Sequence, residues 1–165
     1  MKEKSPDTFE RQLRNYQRLT LTLFYPPLLS IFACISGYFI SNYEYYLTYA
    51  STRFLMVALV ESNRGAFSFP YFVPALYSLA LVGLYAFLTL QSAKGKLYPL
   101  IVGSVLYLAD AIYASLLYGT SFYGQMSLGV YVAQVLLHLA FLVLYGFAIA
   151  KYAKLSRPHR KGNDL

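Results

Sequence analysis

Two ionisable residues, Asp110 and His138, lie inside long apolar segments of the sequence. An ionisable group in hydrocarbon is costly, by about 2.5 to 3.5 kcal/mol for an Asp at the centre of a membrane helix. Such a residue is expected to face other helices and to find a partner there. The chemistry open to Asp110 and His138 is therefore proton exchange, cation binding or hydrogen bonding to a polar ligand.

Both residues belong to stripes of polar and small side chains at helical spacing. The stripe around the acid consists of Gly103, Tyr107, Asp110 and Ala114. The stripe around the imidazole consists of Tyr131, Gln134, His138 and Tyr145. On two antiparallel helices, Asp110 and His138 would each lie about 20 Å from the cytoplasmic side, so we expect them to be in contact. Tyr107, Tyr131 and Gln134 are expected to complete the hydrogen bonding.

Two interpretations of this pair stay open. As a structural contact, it would fix the register of two helices and contribute about 1 kcal/mol. As a functional site, it would bind a proton, a cation or a small polar ligand. The sequence contains no second ion ligand beside the pair that would decide between them.

The elements that position the pair follow from composition. Hydrophobic residues make up 58% of the 165 residues and charged residues 13%, which is typical of a membrane protein. Apolar runs of about 20 residues, the length that crosses a bilayer, cover residues 19–40, 71–90, 97–118 and 128–150. The predicted fold is all-α: a polytopic four-transmembrane-helix bundle over 19–150, a basic N-terminal segment over 1–18 that forms an interfacial helix, and a basic tail over 151–165.

The basic residues predict the orientation of the bundle. Twelve of the 14 Lys and Arg residues lie before the first span, between the second and third spans, or after the fourth. Because Lys and Arg are enriched on the cytoplasmic side, both termini are predicted to be cytoplasmic in a multi-pass protein of the cell membrane. The basic flank facing anionic lipid is predicted to include Arg11, Arg14, Arg18, Lys151 and Lys154.

The first loop and the first span carry further signals. Residues 47–62 contain a short apolar run and are predicted to form a helix in the outer interface or against the bundle. Tyrosines before it predict an aromatic belt; they are Tyr38, Tyr43, Tyr45, Tyr46 and Tyr49. Pro26 and Pro27 indicate either a break at a binding site or the joint between the N-terminal helix and a shorter span.

Other chemistry finds little support. Cys34 is the single cysteine, so the sequence predicts neither a disulfide framework nor a thiolate metal site. No Gly-rich phosphate loop is present, and no cofactor is predicted. The net charge of +7 comes from cations that flank apolar runs, which favours anionic lipid over nucleic acid as a partner.

Three segments of the sequence resemble known proteins. FSFPYFVPALYSLALVGLYAFL, VLYLADAIYASLLY and QVLLHLAFLVLYGFAIAKYAKL, within residues 65–155, resemble small uncharacterised four-helix membrane proteins of Gram-positive bacteria. The resemblance implies an Asp in the third span and a His in the fourth, and it implies no substrate. The longer, Tyr-rich first loop departs from that pattern.

Three functional hypotheses follow. The first is a binding or accessory protein that docks to a membrane protein partner, forms a homo-oligomer, or responds to a lipid or small ligand. The second is a proton- or cation-coupled transporter that acts as an oligomer. The third is an intramembrane enzyme, which would have to use Asp110, His138 and tyrosines alone.

Overall fold

The computed structural model of the chain describes residues 6–39, 49, 51, 52, 55, 72–117 and 128–160. Within these ranges the chain is helical and contains no strand. The α-helices whose bounds lie within these ranges are α1 (Pro6–Thr20), α2 (Tyr25–Phe39), α3 (Phe72–Ala93), α4 (Leu97–Leu117) and α5 (Leu128–Arg160). The all-α prediction therefore holds for the described part of the chain.

Three of these helices are long and apolar enough to cross a membrane. The qualifying segments are Val73–Ala93, Leu97–Leu116 and Tyr131–Ser156. They coincide with the predicted second, third and fourth spans. Helix α5 continues to Arg160, so residues 151–160 of the predicted basic tail are helical. The extension is stabilised by contact with α1, against which Tyr152 and Leu155 are partly buried.

The first apolar run, residues 19–40, is not one continuous helix. A 3₁₀ turn, Leu21–Leu23, separates α1 from α2. Pro26 and Pro27 are the second and third residues of α2, where their missing N–H groups would have no helical partner in any case. The two prolines thus mark the joint between the N-terminal helix and a shorter helix of about 22 Å.

Helix α1 is part of the bundle rather than a free helix on a surface. The Tyr16 hydroxyl donates to the carbonyl of Ser92 at 2.9 Å, and Gln17 Nε2 donates to the carbonyl of Ala93 at 3.3 Å. These carbonyls end α3, where no helical N–H remains to bind them. The Tyr16 ring packs on that of Tyr152, with centroids 5.7 Å apart, so α1 joins the ends of α3 and α5.

A tight turn makes α3 and α4 antiparallel neighbours. Gly95 has φ +83, a left-handed conformation that glycine adopts without strain. Its N–H donates to Ser92 O at 2.9 Å, while Lys94 N–H donates to Leu90 O at 3.3 Å, which closes the end of α3. Beyond this turn α4 packs against both α3 and α5.

Helix α2 packs against α3 and runs antiparallel to it. Leu23, just before α2, packs on Gly103, six residues or about 9 Å from the start of α4. Seven residues later, Ser30 is linked through Thr52 to Ser78, fifteen residues or about 22 Å from the end of α3. The two contacts show that α2 runs in the same direction as α4.

The core is built largely from tyrosines. The core tyrosines, each at most 3% exposed, are Tyr16, Tyr49, Tyr85, Tyr107 and Tyr145. Besides Tyr16, two of them donate to backbone carbonyls: Tyr85 to Gly103 O at 3.2 Å and Tyr145 to Thr22 O at 3.4 Å. Tyr49 was predicted to lie in an aromatic belt, and that prediction is wrong because its ring packs between Tyr85 and Tyr107. The side chains of the other four belt tyrosines lie outside the described residues.

Candidate functional site

Asp110 lies in α4, seven residues before its last residue, and is 9% exposed. Its Oδ1 accepts two hydrogen bonds from Ser51, one from the backbone N–H at 3.2 Å and one from the hydroxyl at 3.0 Å. The carboxylate therefore has a partner in the first loop.

The contact between Asp110 and Ser51 resembles a helix N-cap in which the capping carboxylate comes from a different helix, α4. Ser51 and Thr52 are helical, whereas Tyr49 is not. The first N–H groups of a helix have no partner within that helix, and a carboxylate is well suited to bind them. Asp110 thereby ties the beginning of this helical segment to α4.

Three hydroxyl groups extend this contact to the other helices. The Ser30 hydroxyl of α2 donates to Thr52 Oγ1 at 3.3 Å, and Thr52 Oγ1 lies 3.3 Å from the Ser78 hydroxyl of α3. Tyr49 N–H donates to the Ser30 hydroxyl, also at 3.3 Å. Residues 49, 51 and 52 thus lie against the bundle, one of the two positions expected for the 47–62 segment.

Sequence reasoning missed the hydroxyl groups of this cluster. Ser and Thr in apolar helices often bond to a carbonyl of their own helix, as Ser104 does to Leu100 and Ser115 to Ala111, at 2.7 and 2.9 Å. Nothing in their spacing separates such residues from Ser30 or Ser78, which reach another segment. Only Asp110, as a buried acid, indicated that donors had to be near.

A cleft of about 270 Å³ adjoins the carboxylate on the side of α4 that faces α3. Its aromatic lining residues are Tyr49, Tyr77, Tyr85 and Tyr113, and Ser51 and Asp110 supply further polar groups. Within the described ranges no group of three or more His, Cys, Asp or Glu residues could hold a metal ion.

His138 does not make the expected contact with Asp110. Neither Nδ1 nor Nε2 of His138 has a hydrogen-bond partner among the described residues, although the side chain is only 7% exposed. Its ring lies instead against that of Tyr107, with centroids 5.2 Å apart. Tyr107 precedes Asp110 by three residues. His138 is therefore beside a position on α4 that lies about 4.5 Å along the helix axis from Asp110.

The expectation compared positions along α4 and α5, counting from Leu97 and from Lys151, and did not consider the directions in which the two side chains point. The two polar residues face different neighbours, since Asp110 lines the cleft towards α3 while His138 lies between α4 and α5.

A groove of about 280 Å³ lies between α4 and α5 and contains His138. Its lining residues on α4 are Leu108, Ala111, Ile112, Ala114, Ser115 and Leu116. Those on α5 are Tyr131, Gln134, Val135, His138, Leu139 and Leu142. The groove follows α5 from Tyr131 to Leu142, a rise of about 16 Å. We call it the α4–α5 groove.

Buried polar atoms without partners are concentrated in this groove. Gln134 is 4% exposed, and its Oε1 has no hydrogen-bond partner within the described part of the chain. The two ring nitrogens of His138 bring the number of such atoms in the groove to three. Gln134 and His138 are four residues, or about one helical turn, apart and lie on the same face of α5. In an apolar medium a polar group without a partner costs about 1 to 3 kcal/mol by protein mutational data, so the arrangement is suited to binding a molecule that supplies hydrogen bonds.

The remaining predicted site residues divide into two groups. Tyr131 is half-buried and lines the α4–α5 groove, whereas Tyr107 is 1% exposed and also contacts Phe141 and Tyr145 through its ring. The predicted basic flank is exposed: Arg11, Arg14, Arg18, Lys151 and Lys154. Arg14 also forms an ion pair with Glu10 at 3.2 Å.

The fold and these clefts define a class: a helical protein with three helices able to cross a membrane and with polar groups buried between them. Comparison of the chain with family models, curated proteins and solved structures finds no match. The resemblance to small four-helix membrane proteins therefore stays a hypothesis.

Proposed function

We propose that the protein is a membrane-embedded binding protein that holds a small, largely apolar ligand in the α4–α5 groove. One observation carries this proposal: His138 and Gln134 bury three hydrogen-bonding atoms without partners in a groove that is otherwise apolar. The two interpretations of the predicted pair then apply to different residues. Asp110 fixes the packing of the helices through Ser51, and His138 serves the ligand.

The groove opens towards the surrounding medium along the outer faces of its two helices. Four of its apolar lining residues are at least 43% exposed: Leu108, Ile112, Leu116 and Leu139. In a bilayer these side chains would face lipid, so a ligand dissolved in the membrane would reach His138 without crossing water. This geometry favours a ligand from the membrane over one from solution.

Chemical analysis of the purified protein tests the proposal. The protein is extracted in mild detergent, and the molecules retained with it are identified by mass spectrometry after organic extraction. We expect a small apolar molecule in stoichiometric amount, lost when His138→Phe and Gln134→Leu are combined. Thr89→Val is the matched control, because Thr89 is also buried with an unpartnered hydroxyl but does not line the groove. Equal retention by wild type and double variant would refute the proposal.

For the membrane arrangement we propose four spans with both termini in the cytoplasm, with α2 as the first span. Support comes from the direction of α2, which is the same as that of α4, and from the distribution of the basic residues. The exposed cations of α1, of the α3–α4 turn and of α5 would then meet anionic lipid of the cell membrane. Cysteines introduced at Lys96, Lys154 and Gln125, in a Cys34→Ser background, test this arrangement with an impermeant maleimide. Labelling of Gln125→Cys from the opposite side to the other two is expected.

A second candidate function is a proton- or cation-coupled transporter that acts as an oligomer. It is favoured by the position of Asp110 in a second cleft, on the other flank of α4 from His138. Transport across proteoliposomes that is lost in Asp110→Asn while the fold is retained would support it. Transport that is indifferent to this substitution would remove its support.

A further inference from the structure

The polar atoms of the α4–α5 groove restrict the chemical class of its ligand. We infer that the groove binds an uncharged amphiphile, an apolar chain that ends in a hydroxyl group, such as a long-chain alcohol or a monoacylglycerol. This inference rests on the proposed function and specifies the ligand of the same site.

The absence of charge in the lining excludes an ionised head group. Among the described residues that line the groove there is no Asp, Glu, Lys or Arg. A carboxylate or an ammonium group placed there would be removed from water without an opposite charge beside it, which is strongly unfavourable. The head group that fits is therefore polar but neutral.

The types of the unpartnered atoms then select the hydroxyl group. Gln134 Oε1 is an acceptor, and a neutral imidazole such as that of His138 has one donor and one acceptor nitrogen. The buried atoms without partners in the groove are thus two acceptors and one donor. An ether, ester or ketone has no donor and leaves both acceptors without partners, whereas a hydroxyl group both donates and accepts. A glycerol head with two hydroxyls provides partners for all three atoms.

The rest of the groove suits an apolar chain. Eight of its lining side chains are Leu, Ile, Val or Ala, and the exposed ones among them place its open side along α4 and α5. Gln134 and His138 lie on one wall of the groove, so a chain can follow the helices while its head group reaches them. Tyr107, whose ring lies against His138, closes the wall behind the imidazole.

Photocrosslinking with four matched probes tests this inference. Diazirine-bearing dodecanol, dodecyl methyl ether, dodecane and dodecanoate are incorporated separately into phosphatidylcholine vesicles that contain the full-length protein. Labelled peptides are then quantified by mass spectrometry. We expect dodecanol to label the segments 108–116 and 131–142 about tenfold more than the ether and the hydrocarbon, as one net hydrogen bond would predict.

Variants establish which residues produce the preference. Gln134→Leu and His138→Phe should each reduce the preference for dodecanol over the ether, while Thr89→Val should leave it unchanged. His138→Phe keeps an aromatic ring against Tyr107, so loss of preference in this variant would come from the nitrogens rather than from altered packing.

The outcomes separate the inference from the proposed function. If all three uncharged probes label the groove equally, the groove binds apolar chains, but the hydroxyl inference is overturned. If dodecanoate labels the groove more than dodecanol, the neutral head group is overturned. If no probe labels these segments above the rest of the protein, both the inference and the proposed function are overturned.

Discussion

Ser51 donates its backbone N–H and its hydroxyl to the same carboxylate oxygen of Asp110, at 3.2 and 3.0 Å. An acid in the middle of an apolar helix thus acts as a cap for a helical segment far away in sequence. The contact gives the buried carboxylate hydrogen-bond donors, which is what an ionisable group in a membrane helix requires. His138, in contrast, has no hydrogen-bond partner on either nitrogen among the described residues.

We predict that Asp110 is energetically coupled to Ser51 and not to His138. In a double-mutant cycle, Asp110→Asn with Ser51→Ala should give a coupling energy of about 0.6 to 1.7 kcal/mol, the range found for hydrogen bonds between membrane helices. The cycle of Asp110→Asn with His138→Gln should be additive within about 0.5 kcal/mol. Thermal unfolding of the purified protein in detergent measures both. Strong coupling of Asp110 to His138 would contradict the geometry described above.

In ligand-free protein, replacement of His138 should increase stability, and it should also weaken binding in the α4–α5 groove. His138→Phe removes two buried nitrogens without partners and keeps a ring against Tyr107, so we expect a gain of about 1 kcal/mol in the free energy of unfolding. His138→Gln, which keeps a polar group in place, serves as the control and should give no such gain. A lower unfolding temperature for His138→Phe would show that the imidazole has a stabilising partner.

The contact between Leu23 and α4 should be sensitive to side-chain size. A Cβ atom at Gly103 would lie 3.1 Å from Leu23 Cδ2, so Gly103→Leu forces the two segments apart and should cost about 1 to 3 kcal/mol. Gly83→Leu is the matched control on α3, since a Cβ there meets nothing within 4 Å. Chemical unfolding of the two variants should separate them clearly. Equal stability would mean that the 3₁₀ turn does not pack on α4.

Tyr16 should make the stability of the protein fall at high pH. Burial, with a smaller contribution from nearby Tyr152, raises the pKa of Tyr16 from 10.0 to about 12. The stability that depends on the protonated hydroxyl is fully present below pH 10, where the unfolded chain is protonated too, and is lost as the pH rises towards 12. Tyr16→Phe should lower stability at pH 8 by about 1 kcal/mol, because the bond to Ser92 is lost, and should flatten its decline above pH 10.

The measurement for Tyr16 is the unfolding temperature of wild type and variant from pH 8 to 12. Tyr98→Phe changes an exposed tyrosine of α4 and controls for the loss of a hydroxyl group as such. A decline of the same steepness in wild type and in Tyr16→Phe would exclude Tyr16 as its source.

The helical architecture could be predicted from the sequence because it depends on local properties. The apolar runs and the break at Pro26 and Pro27 are set by side chains within a few residues of each other. The same reasoning placed Asp110, Gln134 and His138 on faces that are buried. It overestimated the first span, because periodicity and hydropathy do not show where a 3₁₀ turn interrupts a run.

What the sequence by itself determined, then, is which segments are helices and which polar residues must be buried. Only the tertiary structure decided their partners: Asp110 binds Ser51, whereas His138 and Gln134 face a groove between α4 and α5. Partners depend on the relative height and rotation of helices, and these depend on how α3, α4 and α5 and residues 49, 51 and 52 pack together. An error of one helical turn, about 5.4 Å, is enough to exchange one hydrogen-bond partner for another.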